Sequence, residues 1–178
     1  SLRRLIAYSS IAHAGYLFYA FLGNGPTRFE AVLFYVLAYG VMNLLAFAAL
    51  PPHGDDLARV RLDNLRGLYL RAPFSAILIA VAMLSLAGIP PLPGFVAKFL
   101  IFRNVIAAGH TLYAVAGLVG SYLGIYFYLR VIQLMFMSEE RPAIAHARPG
   151  TLAVGAALAC LAAAVVLGVY PASMLGRF

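Results

Sequence analysis

The sequence predicts an all-α polytopic membrane protein with five transmembrane helices, the third of which is discontinuous. Hydrophobic residues make up 63% of the chain and charged residues only 11%, whereas charged residues make up about 25% of a typical soluble domain. The mean hydropathy of the chain is +0.90. Because a helix needs about 20 apolar residues to cross a bilayer, the 178 residues can form five spans with short connections. We therefore expect residues 1–178 to form a single membrane domain.

Breaker residues and polar segments divide the chain into these spans. A Gly-Asn-Gly-Pro cluster ends the first apolar segment at residues 23–26, and Pro51-Pro52 ends the second. Two segments rich in charge, residues 51–71 and 138–150, are expected to be loops on the cytoplasmic side. The predicted helices cover residues 4–22, 29–50, 72–87 together with 94–108, 112–137 and 151–169.

The arginines predict the orientation of the chain. The side with the N-terminus and the two polar loops carries nine arginines, and the other side carries three. Positively charged residues concentrate on the cytoplasmic side of membrane proteins, so we expect a cytoplasmic N-terminus and a C-terminus outside. The net charge of +7 therefore reflects topology and not a nucleic-acid groove. The chain opens on Ser1 without an initiator methionine, and we expect it to be a fragment that begins within a longer protein.

The third apolar segment contains residues that no continuous helix accommodates. Each proline removes a backbone N–H and clashes with the preceding turn, and the freed carbonyl groups cannot face lipid. Broken backbone at membrane depth occurs where protein or water satisfies it, so the break itself predicts a functional site. The residues that form the predicted break are Gly88, Pro90, Pro91, Pro93 and Gly94.

Lys98, the only lysine of the chain, follows this break. A lysine at the centre of a membrane helix costs about 2.5–3.5 kcal/mol, and residues 99–108 continue the helix for about 15 Å beyond it, which leaves little scope for snorkelling. The helix dipole of the second half disfavours the ammonium, whereas unpaired carbonyls of the first half favour it. We expect Lys98 to gain and release a proton as part of a proton or cation relay; a static structural charge is the alternative.

Polar residues recur at helical spacing within the other spans. His13 is distinctive because imidazole exchanges protons near neutral pH, so we predict a proton-relay role, with a satisfied structural histidine as the alternative. The remaining polar residues are expected to support the proton path, although ordinary hydrogen bonding between membrane helices explains any one of them more readily. These supporting residues are Ser9, Ser10, Tyr16, Tyr39, Asn43, Tyr122 and Tyr126.

Other kinds of chemistry have little support in the sequence. The single cysteine, Cys160, lies in an apolar run and is expected to be an inert packed thiol. The sequence has neither a glycine-rich dinucleotide loop nor a cysteine cluster for iron–sulfur ligation. We therefore predict no catalytic residue and no metal ligand. The last span, residues 151–169, is almost wholly apolar and is expected to pack and to face lipid.

Three motifs resemble a known family. Residues 4–16 (RLIAYSSIAHAGY), residues 83–99 (MLSLAGIPPLPGFVAKF) and residues 126–131 (YFYLRV) are similar to the antiporter-like subunits of proton-pumping NADH–quinone oxidoreductase, respiratory complex I. The Phe-Leu-Ile-Phe that follows Lys98 is most similar to the subunit N branch. The resemblance implies that the chain is the last five of fourteen helices, with the discontinuous helix as the twelfth.

The resemblance also implies a function. Lys98 would be the terminal lysine of a hydrophilic chain across the membrane, and His13 would pass protons to it through water. The chain would be a non-redox subunit of the translocase in the inner membrane, beside neighbouring antiporter-like subunits, while FMN, iron–sulfur clusters and quinone belong to partner subunits. The alternatives are a subunit of a multisubunit sodium/proton antiporter or membrane-bound hydrogenase, and a structural membrane scaffold.

Overall fold

The computed structural model of the chain describes residues 2–50, 62–137 and 150–171, which contain helices and no strand. Single 3-10 turns at Ala20–Leu22 and Leu62–Leu65 extend the first helix and precede the third. The all-helical class that the sequence predicts is therefore confirmed for the described residues. The helices are α1 Leu2–Tyr19, α2 Thr27–Ala48, α3 Leu68–Arg71, α4 Pro73–Ala87, α5 Pro93–Ala107, α6 Thr111–Met137 and α7 Thr151–Val169.

Four of the described helices are long and apolar enough to cross a membrane, namely α1 with its 3-10 extension, α2, α6 and α7. Helices α4 and α5 are shorter, with 15 residues each. The outward faces of the long helices carry large apolar side chains such as Leu123 on α6 and Leu152 on α7, both largely exposed. Such an extended apolar surface is unusual for a soluble monomer and suits contact with lipid.

The helix bounds differ from the predicted ones near the polar loops. Residues 68–71, which the sequence analysis assigned to the loop 51–71, form the short helix α3. Gly67 precedes it with a φ of 62°, and its N–H donates to the Leu134 carbonyl of α6 at 3.1 Å. Ala72 leaves the helical region because Pro73 follows it, so α3 and α4 are separate. Residues 51–61 of this loop and 138–149 of the second loop lie outside the described residues.

Helix α2 is the central element and packs against α4, α5 and α7. One core cluster joins α2 to α4 and α6 around the fully buried Met42, Ile79 and Met135. A second cluster joins α2 to α5 around Phe34 and Ile101. The two shorter helices therefore each have a buried face against α2, which fixes the position of the segment that joins them.

Helix α7 supports that joining segment. A Cβ atom added to Gly168 would lie 2.6 Å from the Pro91 carbonyl oxygen, which is closer than real Cβ contacts allow. Only glycine permits this approach of α7 to the backbone between α4 and α5. The last span, which is predicted to pack and to face lipid, therefore makes a specific packing contact with this backbone through Gly168.

Candidate functional site

The C-terminus of α4 is capped by its own backbone. Gly88 adopts a left-handed conformation with a φ of 87°, and its N–H donates to the Ser85 carbonyl at 2.9 Å. The Ile89 N–H donates to the Leu84 carbonyl at 3.1 Å. This pair of bonds is a Schellman motif, which satisfies two of the four carbonyls that a helix end leaves unpaired.

Lys98 satisfies the remaining two carbonyls of α4. Its Nζ donates to the Leu86 carbonyl at 3.1 Å and to the Ala87 carbonyl at 3.2 Å. The side chain is 8% exposed, and a Cβ on Gly88 would lie 3.1 Å from Nζ, so glycine leaves room for the ammonium. A cation at a helix C-terminus interacts favourably with the helix dipole. The described residues that contact Nζ include no carboxylate.

The N-terminus of α5 is capped from across the junction by Ser85. The Gly94 N–H donates to Ser85 Oγ at 3.1 Å, while Pro93 at the first helical position has no N–H to satisfy. A Cβ on Gly94 would lie 1.8 Å from the Ser85 carbonyl oxygen. Ser85 of α4 thus caps α5, and Lys98 of α5 caps α4. Of the other residues of the predicted break, Pro90 and Pro91 lie in the turn and are joined by a cis peptide bond.

His13 is the centre of a second polar cluster. It is 4% exposed, and both of its ring nitrogens have a tyrosine partner. Nδ1 lies 2.7 Å from the Tyr35 hydroxyl, and Nε2 lies 3.2 Å from the Tyr128 hydroxyl. Tyr39 stacks on the imidazole with ring centroids 4.5 Å apart. Because a neutral imidazole donates from one nitrogen and accepts at the other, His13 joins α2 and α6 through one ring.

The polar residues beside His13 continue this network. Ser9 Oγ lies 2.5 Å from the Tyr128 hydroxyl. Ser10 Oγ donates to the Ile6 carbonyl at 2.9 Å and lies 2.7 Å from the Tyr39 hydroxyl. Asn43 bonds within its own helix, from Nδ2 to the Tyr39 carbonyl at 2.8 Å. The serines of α1 therefore make interhelical bonds, whereas Asn43 makes a local one.

Tyr16 lies between the His13 cluster and Lys98. Its ring centroid is 5.4 Å from Lys98 Nζ and 5.9 Å from the His13 ring centroid, the latter in an edge-on arrangement. Its hydroxyl lies within interaction range of Ser121 of α6. A cation at this distance from an aromatic face gains a favourable interaction, so Tyr16 contacts both polar groups. A cavity of about 550 Å³ lies beyond Lys98, with Ser121, Tyr122 and Arg103 in its wall.

Two predicted supporting residues lie apart from these clusters. Tyr122 is 75% exposed and lines the outer wall of the cavity beside Lys98. Tyr126 is 67% exposed and lies in a groove with Arg130 and Gln133. The Arg130 Nη1 donates to Gln133 Oε1 at 2.8 Å. The structure does not bring Tyr126 into contact with His13 or Lys98.

Four residues that complete the clusters were not among the predicted site residues, namely Tyr35, Ser85, Ser121 and Tyr128, although Tyr35 belongs to the polar stripe that the sequence places on α2 with Tyr39 and Asn43. Signals for them exist in the helical spacing. Tyr35 precedes Tyr39 by one turn, and Ser121 and Tyr128 are seven residues apart on one face of α6. Among the described residues, no group of three or more histidine, cysteine or acidic side chains could hold a metal.

Comparisons with known proteins identify relatives of the chain. A family model described as "NADH:quinone oxidoreductase/Mrp antiporter, TM" matches residues 1–124. NADH-quinone oxidoreductase subunit N of Pelobacter propionicus is 47% identical over 148 residues, which cover 79% of this chain and 31% of that protein. The subunit N of Geobacter metallireducens is 41% identical over 179 residues, covering 96% of this chain and 36% of that protein.

A solved structure is similar over nearly the whole chain. A chain of respiratory complex I from Thermus thermophilus with bound aureothin matches with a TM-score of 0.77 and 42% identity. The match covers 97% of this chain and 39% of that one. The chain spans about a third of the length of the curated relatives that it matches.

Proposed function

The chain belongs to the NADH:quinone oxidoreductase/Mrp antiporter transmembrane family, and on that premise we propose that it forms part of a proton-translocating subunit of NADH–quinone oxidoreductase. In this proposal His13 and Lys98 relay protons within the membrane. The names and similarity of the subunit N relatives support it, as does the match to a chain of complex I.

The observation that carries the proposal is the environment of Lys98. Burial disfavours a charged ammonium, whereas the Leu86 and Ala87 carbonyls favour it. A neighbouring carboxylate would hold the ammonium in its charged form, but the described contacts of Nζ include none. We infer that Lys98 binds and releases a proton. A lysine with a purely structural role would keep its charge throughout.

Helices α4 and α5 together form a fifth, discontinuous span in this proposal. Each has 15 residues, too few to cross a hydrocarbon core of about 30 Å alone. The reciprocal caps made by Ser85 and Lys98 satisfy the broken backbone that lipid cannot satisfy. The chain then corresponds to the last five of fourteen helices in the inner membrane, with its N-terminus cytoplasmic and its C-terminus outside.

The path from His13 to Lys98 passes through the junction. A small void of about 10 Å³ is lined by His13, Tyr35, Leu86 and Gly94, among others, and exposes no polar surface; its volume is at the lower limit for one water. Leu86 is also the residue whose carbonyl binds Lys98. Tyr16 contacts both the His13 ring and Lys98 Nζ and therefore lies along the path between them.

The other predicted residues have supporting roles in the proposal. Ser9 positions Tyr128 and Ser10 positions Tyr39 through hydrogen bonds. Tyr128 in turn bonds to the imidazole, and Tyr39 stacks on it. Asn43 bonds to the Tyr39 carbonyl. Tyr122 lines the cavity through which Lys98 releases its proton. Tyr126 contributes only to the outer polar stripe of α6.

Energy for proton movement comes from redox chemistry elsewhere. FMN, iron–sulfur clusters and quinone are assigned to partner subunits, and this chain acts as a non-redox component of the enzyme. Neighbouring antiporter-like membrane subunits are its proposed partners.

Substitution of His13 by alanine in the assembled complex is expected to slow proton pumping about tenfold or more, since positioned proton-transfer groups contribute about 10²–10⁴-fold. Pumping is measured as acidification of proteoliposomes driven by NADH. The matched control is His110→Ala, an exposed histidine just before α6, which should pump normally. Equal pumping by both variants would refute a relay role for His13.

A multisubunit antiporter remains the second candidate because the family model covers both groups. The two functions differ in their partners. Affinity purification of the intact protein should recover subunits that contain flavin and iron–sulfur clusters if it belongs to a quinone-linked complex. Recovery of membrane subunits alone, with sodium-dependent proton exchange, would assign it to an antiporter.

A further inference from the structure

A second cavity reaches the polar network from the opposite side of His13. It has a volume of about 510 Å³, lies between α1 and α6, and is lined by Ser9, Tyr128, Tyr8 and Leu62, among others. Tyr8 is exposed at its rim, whereas Ser9 and Tyr128 are only 8% and 6% exposed. The two buried hydroxyl groups that reach the cavity are thus the same two that are bonded to each other and, through Tyr128, to His13.

We propose that the Ser9–Tyr128 pair is the port through which protons enter the relay and reach Nε2 of His13. The proposal rests on the proposed relay function and adds the place where protons enter it. Protons pass between the α1–α6 cavity and His13 through this pair. Lys98 and the larger cavity beyond it lie on the far side of the network.

The two ring nitrogens of His13 have different tyrosine partners. The tautomer with hydrogen on Nδ1 donates to the Tyr35 oxygen at 2.7 Å and accepts from the Tyr128 hydroxyl at Nε2. Ser9 then donates to the Tyr128 oxygen. In this tautomer all four groups are oriented from the cavity towards Tyr35, whereas the tautomer with hydrogen on Nε2 reverses the orientation, so the same contacts can carry protons in either direction.

Each transfer along this chain conserves protons. A hydronium ion in the cavity gives its proton to Ser9 Oγ and becomes water, Ser9 passes its own proton to the Tyr128 oxygen, and Tyr128 passes its hydroxyl proton to Nε2. The donor loses one proton, the imidazole gains one, and both hydroxyl groups of the port are restored. The imidazolium of His13 is then the proton donor for the rest of the relay.

Two glycines of α6 create the space for this port. Gly120 and Gly124 line the cavity, and a Cβ added at either would meet no atom within 4 Å. A larger side chain at Gly124, one turn from Tyr128, would therefore occupy part of the cavity and obstruct it without breaking a hydrogen bond of the network. A substitution at Gly124 therefore tests access to the port while the hydrogen bonds of the relay stay intact.

The test compares Gly124→Leu and Tyr128→Phe in the complete complex. Both are expected to reduce proton pumping about tenfold or more, the first by closing the cavity and the second by removing the hydroxyl that protonates Nε2. The controls are Gly155→Leu on α7, where a Cβ also meets open space, and Tyr113→Phe, an exposed tyrosine on α6. Both controls should pump at the parent rate. If Tyr128→Phe assembles poorly, Gly124→Leu carries the test because it leaves the network intact.

The Lys98→Met complex separates failure of the port from failure of the relay. Normal pumping by Gly124→Leu and Tyr128→Phe together with defective pumping by Lys98→Met would overturn the port and leave the relay standing. Normal pumping by Lys98→Met as well would overturn the relay itself.

Discussion

Substitution of Lys98 by methionine is expected to abolish proton transfer through this subunit while the complex still assembles. Methionine matches the length of the lysine stem but carries no donor, so the Leu86 and Ala87 carbonyls lose their partner. A buried carbonyl left unpaired costs about 1–3 kcal/mol, and removing a buried charge offsets part of this cost. The measurement is the number of protons pumped per electron, with assembly checked by the amount of intact complex.

The Lys98→Arg variant distinguishes a relay from a static charge. A guanidinium keeps the positive charge at the end of α4 but does not release its proton in proteins. We expect Lys98→Arg to assemble better than Lys98→Met and yet to pump no more. Restored pumping with arginine would mean that Lys98 acts through its charge alone.

Substitution of Gly94 by alanine should be the most damaging change to the structure of the junction. The new Cβ would lie 1.8 Å from the Ser85 carbonyl oxygen, and that oxygen belongs to backbone that cannot rotate away. We expect a loss of about 3 kcal/mol, the upper end of typical overpacking costs. Separation of α5 from α4 would also move Lys98 away from its two carbonyls. Thermal unfolding of the purified membrane part measures the loss.

The matched control for this change is Gly40→Ala on α2. A Cβ at Gly40 meets no atom within 4 Å, and alanine favours a helix interior by up to about 1 kcal/mol relative to glycine. Gly40→Ala should therefore be neutral or slightly stabilising. Equal stability of Gly94→Ala and Gly40→Ala would mean that the close approach of α4 and α5 does not exist in the protein.

Much of the junction could be predicted from the sequence because its causes are local. Prolines and glycines interrupt a helix wherever they occur in its interior, and a lysine one turn beyond them lies near the freed carbonyls. Motifs at residues 4–16 and 83–99 also predicted the family, which the comparisons confirm. The carbonyl partners of Lys98 follow from the same short stretch of chain.

The partners of His13 could not be predicted in the same way because they come from other helices. Tyr126 and Tyr128 are two residues apart, which turns them by about 200° around α6. The sequence analysis selected Tyr126, whereas the structure directs Tyr128 towards His13 and leaves Tyr126 exposed. Which side of α6 faces α1 depends on the packing of the whole bundle, and a polar stripe on one helix does not contain that information.

The most direct test of the relay is to observe the protonation of Lys98 during turnover. Infrared difference spectra of ¹⁵N-lysine-labelled complex, compared between the parent and Lys98→Met, separate the signal of Lys98, the single lysine of this chain, from those of the other labelled lysines of the complex. The relay predicts that an ammonium band of Lys98 converts reversibly to an amine band when NADH drives pumping. An ammonium band that stays constant from rest through turnover would contradict it.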